Sequence, residues 1–171
     1  EKDQLFYENP SQPRYFHGVA TDENERYMFL FESGQGAGST LWIRDMEDPK
    51  GEFVQIAFDM DYNYSPIDII DGKMYIMTNY GAPRGMVCVV NVEDVNKASI
   101  ENWEVLIPES ENVMVGAQMG AGKLIVTYDK DAANHAYVYN LDGTLKHEIQ
   151  FPTFGSTGIV SRYEESEIFY A

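Results

Sequence analysis

The sequence predicts an all-β fold assembled from a repeated four-stranded unit. Three observations carry that prediction. Short apolar runs rich in β-branched and aromatic residues punctuate the chain, no helical period is sustained, and two separate features recur at intervals in the forties.

The runs come in order along the chain. Tyr27–Phe31 and Thr40–Arg44 are followed by Met74–Thr78 and Val87–Val92, then Leu124–Tyr128 and Ala136–Tyr139, and last Ile168–Tyr170. Gly, Asp, Asn or Pro bounds each, residues that interrupt strands and build turns. No segment keeps a 3.6-residue period over three turns. The best helical stretch, Val92 to Ser99, reads as a turn or a single helical turn.

A turn followed by an apolar strand recurs. Aligning Arg26, Lys73, Lys123 and Glu167 gives spacings of 47, 50 and 44 residues. A second series, apolar strands ending at Asp45, Asn91 and Asn140, is spaced by 46 and 49. A period of this size with three or four short strands is that of one β-propeller blade. Each small sheet has two apolar faces and cannot bury both alone; radial stacking against its neighbours does so. The expected inner strands start near His17–Ala20, Pro66–Ile70, Val113–Ala117 and Thr157–Val160. The predicted architecture is a partial β-propeller of three to four blades of four-stranded antiparallel sheets, at 14–58, 64–108, 112–150 and, incomplete, 155–171. Residues 1–10, with Gln4–Tyr7 as an outer strand, read as the end of a preceding blade. The chain is thus expected to be cut at both ends, and its opening at Glu1 instead of Met fits removal of something upstream.

Composition bounds the function. Hydrophobic residues make up 44% and aromatics 13%, too much for a disordered segment. No apolar run approaches the ~18–20 residues that span a bilayer. Twelve Lys and Arg against 28 Asp and Glu give a net charge of −16. Nucleic-acid binding needs a basic patch to displace counterions, and anionic membranes demand the same, so neither partner is expected. Cys88, the single cysteine, lies in an apolar run and reads as a buried, inert thiol. Compartment stays open between cytoplasm and periplasm.

Several stretches imitate chemistry. Gly34–Thr40 resembles a phosphate loop, but it lacks the Lys and leads into a strand instead of a helix. Gly120–Lys123 fits a tight hairpin turn. Asp59-Met60-Asp61 opens like a calcium loop, yet Tyr64 and Ile70 stand where Gly and Glu are required, so Asx-turns are the better reading. His17, His135 and His147 show no metal-ligand spacing. Trp42, Tyr75, Tyr137 and Phe169 read as inter-blade core. No catalytic residue, cofactor or metal is assigned.

Tyr7–Phe16 followed by Ala20–Tyr27 resembles a propeller segment of the prolyl oligopeptidase family, where an outer-strand E-x-P precedes S-x-D-G-R-Y. Leu41–Met46, Thr78–Pro83, Trp103–Glu109 and Glu167–Tyr170 resemble further motifs of that family, in the same order. The resemblance implies the second half of a seven-bladed propeller. It further implies a serine endopeptidase that hydrolyses short proline-containing peptides. The propeller would gate access to an α/β-hydrolase domain, the expected partner, which holds the catalytic groups. These 171 residues contain no Gly-x-Ser-x-Gly nucleophile elbow, so the fragment alone is expected to be inactive. The family places the turn Glu32–Thr40 towards the catalytic cavity, which makes Glu32 and Gln35 cavity-lining candidates. Without the resemblance this stretch reads as a flexible glycine-rich hairpin, and the chain as a non-catalytic propeller that binds a protein or peptide. Exposed strands at Gln4–Tyr7 and Ile168–Tyr170 would favour self-association.

Overall fold

The computed structural model describes residues 5–34, 36–95 and 100–171. Sheet one holds β1 (Phe16–Thr21), β2 (Tyr27–Ser33), β3 (Thr40–Asp45) and β4 (Val54–Ala57). Sheet two holds β5 (Tyr64–Ile70), β6 (Lys73–Thr78), β7 (Met86–Asn91) and β8 (Glu104–Ile107). Sheet three holds β9 (Val113–Gly120), β10 (Lys123–Lys130), β11 (Ala133–Tyr139) and β12 (Leu145–Ile149). Sheet four is the pair β13 (Ile159–Ser161) and β14 (Ile168–Tyr170). Each sheet is antiparallel, and strands adjacent in sequence are adjacent in space. The helical residues described are two short 3-10 turns, Val92–Asp94 and Ile100–Asn102. No helix among the described residues is long and apolar enough to cross a membrane.

The alternation of side chains along a strand explains the stacking. On β6, Met74 and Ile76 enter a core shared with Phe29, Leu41 and Ile43 of sheet one. Tyr75 between them points the other way, into a core shared with Leu124 and Val126 of sheet three. On β10 the pattern repeats, because Ile125 turns from those neighbours towards Ala136, Ile159 and Ile168. Sheets two and three therefore each feed two cores. A fully buried Leu or Ile side chain there contributes ~1.5–3 kcal/mol of transfer free energy.

The first strands of the sheets lie innermost, with β5 beside β9 and β9 beside β13. The β5–β6 and β9–β10 hairpins share one geometry. Asp71 and Gly72 have φ of 50° and 75°, and Ala121 and Gly122 have φ of 50° and 67°. Such paired positive φ values match the right-handed twist of the flanking strands. Ala121 adopts this conformation while its amide and that of Gly122 donate to the carbonyls of Arg162 and Tyr163.

Two expectations need correction. Leu5–Tyr7 form no strand, and Gln4 lies outside the described residues. Instead, Phe6 packs edge-on to Phe53 at 5.8 Å and lies beneath the Arg44 guanidinium at 4.6 Å. Side-chain anchoring replaces backbone pairing, and turns closed by Gln12 N to Asn9 O and Tyr15 N to Gln12 O then lead into β1. Phe169 is 60% exposed instead of buried, because the apolar contacts of the two-stranded sheet four run through Ile159 and Ile168. Of the stretch Val92–Ser99, Val92–Asp94 form one 3-10 turn and residues 96–99 lie outside the described residues.

Candidate functional site

Glu32 sits at the end of β2, on the face of sheet one opposite the core shared with sheet two. Phe29 enters that core, and Phe31 packs against it. The carboxylate is almost fully buried, at 3% exposure. Three groups converge on its Oε1. Tyr7 Oη donates at 2.9 Å, Asn9 Nδ2 donates at 2.9 Å, and His17 Nε2 lies at 3.1 Å. The β1–β2 register places His17 directly opposite Glu32. Tyr7 is held from its other side by aromatic contacts, with Trp42 at 6.1 Å and Phe53 at 5.9 Å.

The electrostatics follow from burial. The Tyr7 hydroxyl is pushed up to about 12, first by desolvation, then by its hydrogen bond to Glu32, then by the carboxylate charge. It remains a donor through the neutral range. Two donors and the His17 imidazole gathered on one buried carboxylate oxygen make an anchor that ties the segment around Tyr7 and Asn9 to the rim of sheet one.

The turn after Glu32 is packed against a neighbouring loop. Gly38 N donates to Met60 O at 2.7 Å, and Ser39 N donates to Tyr62 O at 3.1 Å. A Cβ at Gly36 would overlap the Met60 carbonyl, and one at Gly38 the Tyr62 carbonyl. These glycines permit close backbone approach, which corrects the expectation of a flexible hairpin. The facing loop is itself fixed by an Asx-turn, Asp61 N to Asp59 Oδ1 at 2.9 Å. Gln35, the second candidate, lies outside the described residues.

The remaining reactive side chains are apart from this site. His135 Nδ1 lies 2.7 Å from Glu148 Oε1 on sheet three. His147 is on β12, opposite Val138. Cys88 is 1% exposed, and burial pushes its thiol up to about 11. A groove of about 610 Å³ between sheets one and two is lined by Arg26, Asp45, Asp48, Lys50 and Glu93. Arg26 there is engaged by Asp45 at 3.0 Å and Glu47 at 3.3 Å. Among the described residues no group of three or more His, Cys, Asp or Glu could hold a metal. Sequence reasoning missed Tyr7 and Asn9 as partners of Glu32; their signal would have been a polar buried position on an otherwise apolar strand.

The model of the prolyl oligopeptidase N-terminal β-propeller domain matches residues 1–171. The chain belongs to the prolyl oligopeptidase family. Its relatives in that family include a prolyl endopeptidase of Elizabethkingia meningoseptica, 24% identical over 99% of this chain and 24% of the relative. Prolyl oligopeptidase A of Amanita bisporigera is 24% identical over 98% of this chain and 22% of the relative. The chain thus spans about a quarter of the length of these relatives. Prolyl oligopeptidase B of Galerina marginata, solved with a substrate for hydrolysis and macrocyclization, superimposes with a TM-score of 0.86 at 17% identity, over 99% of this chain and 24% of that one. That likeness extends the family's propeller fold to the arrangement of sheets described above.

Proposed function

We propose that this chain is part of the gating propeller of a prolyl oligopeptidase-like serine endopeptidase that hydrolyses short proline-containing peptides. The observation that carries the reading is the match of the propeller-domain family to every residue of the chain. The names of the relatives, prolyl endopeptidase and prolyl oligopeptidase, supply the reaction class. Chemistry would reside in an α/β-hydrolase domain elsewhere in the protein, since these residues hold no nucleophile elbow. The propeller's part is steric: a ring of wedges over the catalytic cavity admits short peptides and excludes folded chains. Within it, segments 14–58, 64–108, 112–150 and 155–171 act as blades, and 1–10 as the end of the blade before them.

Glu32 and Gln35 are proposed to belong to the cavity rim. Glu32 contributes there by holding the rim in place, because its Oε1 already accepts from Tyr7 and Asn9 and faces His17. The test is size selectivity of the full-length protein. Short peptides should be cut after proline, while a folded protein bearing exposed proline loops stays intact. Cleavage of the folded protein at the same rate, or no cleavage after proline, overturns the reading.

A further inference from the structure

The sheets follow one another in order around the inner strands, with cores between one and two, two and three, and three and four. Sheets one and four share none of these cores. They are nonetheless joined: Tyr163 N, just beyond β13, donates to Glu23 Oε2 at 2.8 Å, across 140 residues of sequence. Glu23 lies in the turn between β1 and β2, and Tyr163 follows β13, the strand that lies beside β9. One glutamate side chain therefore links the turn after β1 to the segment after β13.

Both ends of the contact are held firmly. On the sheet-one side, Asp22 Oδ1 accepts from Tyr27 N at 2.7 Å, and Asp22 O accepts from Glu25 N at 3.1 Å. The backbone amide of Glu23 itself donates to Asp68 Oδ1 of sheet two at 3.1 Å, and Asp68 is 2% exposed. On the far side, Arg162 O and Tyr163 O accept from Ala121 N and Gly122 N of sheet three, at 3.1 and 2.8 Å. Ser161 just before them donates to Met119 O at 2.6 Å and accepts from Gln118 Nε2 at 2.7 Å. These bonds join the inner turns of sheets one and two, of three and four, and of four and one, the Glu23 side chain supplying the link between sheets one and four.

We propose that Glu23 is a releasable strap that fixes the spacing of sheets one and four. The turn it springs from is locked, so the reach of the side chain sets the width. The bond itself is exposed to water, so it can open without unfolding either sheet. Asp68, Asp71 and Glu164 line the same small cavity of about 100 Å³ beside Glu23 and Tyr163. Their like charges oppose the carboxylate's position and leave the hydrogen bond as what keeps it there.

The test is amide exchange in the full-length protein, read at Tyr163. Glu23→Ala removes the acceptor and is expected to speed that exchange at least tenfold, with smaller increases at Ala121 and Gly122. Glu23→Gln keeps an acceptor oxygen and is expected to stay within threefold of the parent. A second readout follows width: cysteines introduced at Asn24 and Glu164, which line the same cavity, should be bridged by a short bismaleimide several-fold more slowly once Glu23→Ala is added. Unchanged exchange at Tyr163, or unchanged bridging in the alanine variant, overturns the proposal. Neither readout depends on peptide cleavage, so a failed strap leaves the peptidase reading standing, and the reverse holds too.

Discussion

His17 and Glu32 face each other across the β1–β2 pair, with the imidazole Nε2 at 3.1 Å from the carboxylate Oε1. That oxygen also accepts from Tyr7 and Asn9, so a single side chain gathers the inner strand and the incoming segment. Hydrogen bonds to a charged group contribute ~1.5–3 kcal/mol, and their partners here can partly rehydrate. Glu32→Ala is therefore expected to cost about 2 kcal/mol. At ~2–4 °C per kcal/mol for a chain of this size, Tm should fall by roughly 4–8 °C in a thermal melt. Glu32→Gln should cost less, because its amide oxygen still accepts.

Tyr7 gives the clasp an alkaline limit. Its folded-state value of about 12 lies above the ordinary 10.0 of an unfolded tyrosine. Between those values the folded chain holds a proton that the unfolded chain has released, so stability falls as pH rises through that window and is unaffected below it. Tyr7→Phe should lose this part of the alkaline dependence and cost ~1 kcal/mol at neutral pH, where the hydrogen bond to Glu32 is missing. Urea melts at pH 8 and pH 11 measure both effects. Equal pH dependence in parent and variant would contradict the assignment.

The inter-sheet cores make a sharper energetic demand. Leu124 is fully buried between sheets two and three. Leu124→Ala is expected to cost ~2–5 kcal/mol through lost transfer energy and a residual cavity. Because sheets two and three each feed two cores and so couple all four sheets, the loss should appear in one cooperative transition. A separate early transition confined to sheet three would mean that the sheets do not depend on one another.

Strands were the most readable part of this sequence, because alternation along Met74-Tyr75-Ile76 already encodes two opposite cores. Polar stretches hid the rest. β10 and β11 extend through Asp129-Lys130 and Asn134-His135, paired by a turn at Asp131 and Ala132 with φ of 52° and 61° and no glycine to announce it. Phe6 and Tyr7 look like strand residues in composition, yet here they strap across a sheet by side-chain contacts. Glu32 could be singled out from the sequence, but Tyr7 and Asn9 are 25 and 23 residues away and only folding joins them to it. Glycines needed for close approach at Gly36 and Gly38 have the same appearance as glycines needed for freedom.

Exposed apolar residues predict association of the isolated chain. Val160 and Phe169 on sheet four are 70% and 60% exposed, and Val19 on sheet one is 65% exposed. Such open sheet faces and edges recruit other strands. Light scattering of residues 1–171 should show a mass that rises with concentration, and Phe169→Lys should reduce it. A monomer at all concentrations would rule out these surfaces as adhesive.

The proposed role of this propeller segment is to serve a proline-directed serine peptidase. The most direct measurement is hydrolysis of a Gly-Pro chromogenic peptide by the full-length protein and by residues 1–171, side by side. Turnover is expected from the full-length protein and none from the fragment. Turnover by the fragment, or none by the full-length protein, would contradict that role.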